Sequence, residues 1–234
     1  MRIVYWRKII CILLLLLPFM AKAQFHVKEY EDRFARRPYH FGIGLSYNSS
    51  YFKIRYDQSF INNDTLLTAS ALSGPGFNVS IVSNLRLTKH LDLRFIPGLA
   101  FAEKVIQYDQ VQDAATSQRI ESIYFNFPLS VKFKSDSYKD MKVYVLGGTT
   151  YSFDLASNAK ARNAEDIVKI GTHDVSLDYG FGFEFYFPYF IFAPEIKICN
   201  GLNNVHVRDP LLIYSSSLDK LYARTILFTI HLEG

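Results

Sequence analysis

Few residues in this sequence stand at spacings that could do covalent chemistry. The nearest approach is the stretch THDVS, in which His173 could serve as a base and Ser176 as a nucleophile. The segment alternates as a strand does, and residues three apart on a strand point to opposite faces, so these two side chains are expected on different sides of the sheet. Glu184 and Glu195 fall on neighbouring strands with one face in common, where two carboxylates could divide acid and base roles. Arg94 and Lys197 share that face, and the plainer expectation is charge compensation. His40, His90, His206 and His231 are scattered over strand ends, a turn and a loop. GLNNVHVRD, from Gly201 to Asp209, carries Asn and Asp without the regular spacing of a calcium loop. No glycine-rich phosphate loop opens a helix. The expectation is a non-enzymatic protein with no catalytic, cofactor-binding or metal-ligating residue.

The elements that would position such groups are strands. Period-two alternation begins near residue 39 and runs almost to the end. Eight candidate strands follow from it: Phe41 to Tyr47, Phe77 to Leu87, Leu91 to Phe101, Ile123 to Phe133, Val143 to Leu155, Val175 to Phe187, Phe190 to Ile198, and Tyr222 to Leu232. Thr88 to His90, Lys134 to Asp140 and Pro188-Tyr189 are short connections. Those near Ser49 to Ser73, Asp109 to Gln118, Ala156 to Thr172 and Gly201 to Asp219 are long and polar. Short turns at one end and long loops at the other are the habit of an outer-membrane barrel.

The turns predict register. The apolar face passes from odd to even numbering across Pro188-Tyr189, so Phe187 should lie opposite Phe190, Phe185 opposite Phe192 and Phe181 opposite Ile196. Across the three-residue turn Thr88 to His90 the parity is kept, which places Leu87 opposite Leu91, Leu85 opposite Leu93, and Arg86 opposite Asp92 as an opposite-charge pair.

One face of every strand is Phe, Leu, Ile, Val and Tyr. The other carries small and hydroxylated residues with Arg86, Asp92, Arg94, Lys132, Asp154, Asp178, Glu184, Glu195 and Lys197. Periodicity alone does not say which face meets water. The export leader described below, the unequal loops, and ring residues near strand ends (Tyr47, Tyr151, Phe187, Tyr189, Tyr222) favour rings outward in lipid and ions inward. Gly42, Gly44, Gly98, Gly148, Gly180 and Gly182 on the inward face would let larger neighbours interdigitate in a narrow lumen. The fold expected is all-β: an eight-stranded antiparallel up-and-down transmembrane barrel in the outer membrane, its lumen filled by side chains. The charged set is then a structural plug of paired ions, since isolated charges in so dry a space are costly. Pro97, Pro128 and Pro194 fall inside strands, where bulges or pairing breaks are expected.

The first residues have the three parts of a secretory signal: basic Arg2, Arg7 and Lys8, an apolar run from Ile9 to Leu17, and Ala21-Lys22-Ala23 before Gln24. The run is shorter than the roughly 20 residues of a membrane-spanning helix. Cleavage between Ala23 and Gln24 is expected, giving a signal peptide over 1–23, a periplasmic lead over 24–38 and a barrel over 39–234. It would remove four basic residues and no acid, taking the net charge from +4 to zero, so the pI near 8.9 gives no support for nucleic-acid binding. Of the two cysteines, Cys11 leaves with the leader and Cys199 stays, which excludes an intrachain disulfide framework.

Four blocks carry a resemblance: IPGLAFAEKVIQY (Ile96 to Tyr108), ESIYFNFPLSVKFKS (Glu121 to Ser135), KVYVLGGTTYSFDLAS (Lys142 to Ser157) and FYFPYFIFAPEIKICNGLNN (Phe185 to Asn204). In order and spacing they resemble the PorT family of outer-membrane barrels, called SprT in gliding bacteria, from about Tyr39 to the end. The resemblance implies an accessory component of the type IX secretion and gliding machinery that acts by contact with other secretion components, with outer-membrane lipid around it and both termini periplasmic. It supplies no catalytic motif to transfer. The alternatives are a generic structural or adhesive small barrel and, in third place, a lipid-modifying barrel enzyme. The ending TIHLEG departs from the aromatic terminus of many outer-membrane barrels.

Overall fold

The computed structural model describes residues 30–35, 37–56, 66–110, 116–156, 170–207 and 218–234. A five-residue helix, α1 (Glu31–Ala35), leads into nine strand segments: β1 (Tyr39–Tyr56), β2 (Leu66–Arg86), β3 (Leu91–Phe95), β4 (Gly98–Gln110), β5 (Thr116–Lys134), β6 (Met141–Asp154), β7 (His173–Tyr186), β8 (Ile191–Gly201) and β9 (Leu218–Glu233). All pairings are antiparallel between neighbours, and β1 pairs with both β2 and β9, so the sheet closes on itself. The segments β3 and β4 form one stave interrupted at Ile96 and Pro97, which makes an eight-stave barrel. The expected leader and its cleavage site at Ala23 and Gln24 lie outside the described residues.

The predicted registers hold. Phe185 lies opposite Phe192 and Phe181 opposite Ile196, and the Phe187 N–H donates to the Phe190 carbonyl at 2.9 Å across the two-residue turn. Leu85 lies opposite Leu93 and Arg86 opposite Asp92. The rings face outward: Phe41 is 60% exposed and Phe181 48%, while Arg94 is fully buried in the lumen. A membrane barrel exposes its apolar face because its surroundings are hydrocarbon, which inverts the inside-outside rule of a soluble sheet.

The prolines explain where the ladder fails. Pro97 has no donor, and the stave breaks there while its carbonyl still accepts from the Ile81 N–H at 2.9 Å. Pro128 keeps register with Thr150 on one side and on the other faces the break at Pro97, where its carbonyl receives the Ile96 N–H. Pro194 keeps register with Ile230 but lies in the gap of the β7–β8 ladder between the Gly182–Glu195 and Phe185–Phe192 pairs.

Strand extends into two of the expected loops. Between Ser49 and Ser73, β1 continues to Tyr56 and β2 starts at Leu66; between Asp109 and Gln118, strand resumes at Thr116. Polar composition hid these extensions. Beyond the Ser50–Gly74 pair, β1 stays bonded to β9 alone, while β2, β4 and β5 continue together. The two ribbons enclose a small apolar core of Phe52, Ile106, Ile170, Val205 and Leu221. That core sits at the long-loop end, where inward positions turn from polar to apolar.

Candidate functional site

The inward face stacks three layers. The layer toward the short turns is ionic. Arg94 on β3 donates to Glu195 Oε2 on β8 at 2.9 Å and to Glu233 Oε1 on β9 at 2.6 Å, and lies over the Tyr144 ring of β6. Tyr144 Oη donates to the same Glu195 oxygen at 2.8 Å. Lys132 pairs with Glu184, which also accepts from Tyr186 Oη at 2.5 Å. Lys134 Nζ reaches Asp92 at 2.5 Å, and Asn84 Nδ2 donates to Asp92 at 2.9 Å. The Arg94, Tyr144 and Lys132 contacts cross the lumen and tie staves that are not sheet neighbours, whereas Asp92 is held by residues of the adjoining strands β2 and β5. Because each ion is buried against a partner, loss of one member leaves a desolvated charge behind.

Below this layer, α1 closes the mouth. Glu31 and Lys142 form a buried pair at 2.6 Å, and Phe34 packs with Tyr186 and Ile191. The carboxylate of Asp140, held at a left-handed φ of 54°, accepts the N–H groups of Tyr30 and Glu31 at 3.0 Å each. A carboxylate on the free N–H groups of a helix start satisfies donors that lack intrahelical partners.

Above it, hydroxyls and amides line a cavity of about 100 Å³, with Lys104, Lys197 and Asp174 at its wall. Ser46 and Thr229 share a hydrogen bond of 2.8 Å, and Asn48 Nδ2 donates to Asn78 Oδ1 at 2.6 Å. This polar space has room for several waters. The apolar core of Phe52, Ile106 and Leu221 roofs it.

The sequence-predicted set divides accordingly. Asp92, Arg94, Lys132, Glu184 and Glu195 are brought together in the ionic layer. Lys197 lies 3.7 Å from Asp178, which also accepts from Ser176 at 2.7 Å and from Thr150. Asp154 is buried on the inward face, where it hydrogen-bonds Ser122 and accepts the Ala156 N–H at 2.9 Å at the end of β6, with no ion pair among the described residues. Arg86 has the predicted register to Asp92 and lies half-buried at the rim, where its Nε donates to the Thr88 carbonyl at 3.4 Å, while Lys134 and Asn84 both bond Asp92 Oδ2. Glu184 and Glu195 make no carboxylate pair, since each has its own cation. His173 and Ser176 lie on opposite faces, His173 outward against Tyr151 Oη at 2.7 Å and Ser176 inward.

The reading of the sequence did not pick out Lys134, Lys142, Tyr144, Tyr186, Glu31, His231 and Glu233 as plug residues. Parity was the available signal for Lys134, Lys142 and Tyr144, which share inward numbering with Lys132, Gly148 and Asp154. In the stretch TIHLEG, Leu232 faces the lipid side and Glu233 turns inward to Arg94. The glycine expectation holds at Gly182, where a Cβ would come within 2.5 Å of Tyr144 Oη, and at Gly44, where it would meet His231 Nδ1 at 2.9 Å.

The chain is similar in fold to outer membrane protein OprG of Pseudomonas aeruginosa, at 11% identity and a TM-score of 0.51, covering 83% of this chain and 93% of that one. Weaker likenesses are Neisserial surface protein A, at 9% identity and a TM-score of 0.42 over 82% and 95% of the chains, and Ail of Yersinia pestis, at 14% and 0.38 over 85% and 100%. No curated protein matches the sequence. The sequence profile of one family matches residues 22–207, most of the chain. With its closed sheet, outward rings and ion-filled lumen, the chain belongs to the outer membrane protein β-barrel domain family.

Proposed function

We propose that this protein works in the outer membrane by contact, as a non-conducting structural or adhesive barrel without enzymatic turnover. The observation that carries the reading is the filled lumen: Arg94, Lys132 and Tyr144 lie across it almost wholly buried, with α1 below and an apolar core above. A lumen so filled passes no polypeptide. The orientation that fits is short turns and both termini toward the periplasm and long loops outward. Planar-bilayer recording tests the seal: the expected trace is silent, and steady ohmic conductance refutes it.

The four quoted blocks favour a finer reading within this one, an accessory component of the type IX secretion machinery that touches a larger translocon barrel or a periplasmic ring, and serves gliding where gliding occurs. Comparison of secreted proteins between wild-type and deletion cells separates the two. Loss of sorting-domain cargo from the medium supports the secretion role; unchanged cargo leaves the structural or adhesive barrel. Altered lipid A in the deletion strain would instead favour a lipid-modifying enzyme.

A further inference from the structure

On the outer wall, the apolar belt of β1 and β9 ends at the facing pairs Tyr47–Phe228 and Ser49–Ile226. The next outward positions are Tyr51 opposite Arg224, Lys53 opposite Tyr222, and Arg55 opposite Lys220. Four cations thus climb one two-stranded ribbon, with two tyrosines interleaved. Facing positions on a ladder stand about 5 Å apart and diagonal ones about 7–8 Å, so the four form one cluster.

Among the described residues none of the four makes an ion pair. Arg55 rests over the Tyr222 ring at 6.0 Å from its centroid. Arg55 and Lys220 face each other directly, and like charges so placed repel. The other ribbon has a different balance: Arg119 lies 3.8 Å from Glu103, and Glu103 faces Glu121. Four cations against the one adjoining acid Asp219, none of them ion-paired among the described residues and all held just beyond a hydrocarbon belt, are suited to an anion of the membrane surface.

Its depth selects which anion. Arg224 lies level with Tyr51, four residues past Tyr47, and Arg55 four residues further. At about 3.3 Å per residue and a tilt near 40°, the cluster spans roughly 10–20 Å above Tyr47. A phospholipid offers one phosphate layer, immediately at the belt. A glycolipid with phosphorylated headgroup sugars and an acidic saccharide offers anions over the whole interval.

We propose that Lys53, Arg55, Lys220 and Arg224, with Tyr51 and Tyr222, form a binding site on the β1–β9 wall for the phosphorylated saccharide of an outer-leaflet glycolipid. The site rests on the outward orientation of the long loops given above. Its in vitro test does not depend on that orientation, so the two can fail separately.

The test uses the full mature chain in phosphatidylcholine nanodiscs, titrated with bisphosphorylated lipid A bearing core saccharide and, separately, with phosphatidylglycerol. Folding is confirmed by heat-modifiable gel mobility. The wild type and K89Q, altered in a short turn at the far end, should bind the glycolipid alike. The K53Q/R55Q/K220Q/R224Q variant should bind it at least tenfold more weakly, and phosphatidylglycerol should bind the wild type at least tenfold more weakly than the glycolipid. A smaller loss in the variant, or phosphatidylglycerol bound nearly as well, overturns the proposal. If the quadruple variant does not fold, Arg55→Gln and Arg224→Gln singly carry the test; each should weaken glycolipid binding at least threefold, and unchanged binding overturns it.

Discussion

Arg94→Met removes the cation at the centre of the plug. Arg94 is fully buried and holds Glu195 at 2.9 Å and Glu233 at 2.6 Å. After the change Glu195 still accepts from Tyr144 at 2.8 Å and lies 3.6 Å from His231, so most of the cost falls on Glu233, which loses its ion pair. Breaking a buried pair by removing one partner costs about 3–5 kcal/mol. With a urea slope of about 2–3 kcal/mol/M, the unfolding midpoint should fall by roughly 1–2 M. The assay is equilibrium unfolding in phosphatidylcholine vesicles, followed by circular dichroism because Trp6 lies in the expected leader. Removing both charges in Arg94→Met/Glu233→Leu should recover all but about 1–2 kcal/mol, since a buried ion pair replaced by packed apolar groups is often near neutral. A single variant within about 1 kcal/mol of wild type would refute a desolvated plug and indicate a lumen wet enough to solvate a lone carboxylate.

Gly182→Val pushes a side chain into the Tyr144 ring and the Pro194 carbonyl and should cost about 1–3 kcal/mol or more by overpacking, with little relief in a Tyr144→Phe background because the carbonyl at 2.6 Å remains, as measured by the same unfolding assay. Phe181→Arg places a charge on the lipid face and should cost about 2–4 kcal/mol if the site lies near the bilayer midplane. Phe34→Ala loosens α1 from Tyr186 and Ile191, and tryptic cleavage after Arg33 should speed up at least tenfold while the barrel keeps its gel mobility.

Much of the wall was legible because alternation, loop length and turn parity each speak to register, and all agreed. The Phe185–Phe192 and Leu85–Leu93 pairs follow from counting alone. Partner choice inside the lumen was not legible. Register put Arg86 opposite Asp92, yet Asp92 pairs with Lys134 of the adjoining stave, and Arg94 pairs across the lumen with Glu195 and Glu233 on staves that no sequence spacing relates to β3. The upper ribbons were hidden for another reason. There the inward face becomes apolar at Phe52 and Ile106, so the greasy-out rule that identified the lower barrel gave no signal for strand. The helix at Glu31 was too short to show a period, and its stability comes from Asp140 and Lys142, more than a hundred residues away.

The central claim is that rings face hydrocarbon and ions face one another. Nitroxide labels placed singly at positions 180 to 184 of β7, in a Cys199→Ser background and in nanodiscs, read it directly. Labels at Phe181 and Phe183 should be relaxed strongly by oxygen from the lipid and weakly by a water-soluble nickel chelate, while those at Gly182 and Glu184 should be shielded from both. Strong relaxation by the chelate at the even positions, with the odd positions shielded, would contradict the account.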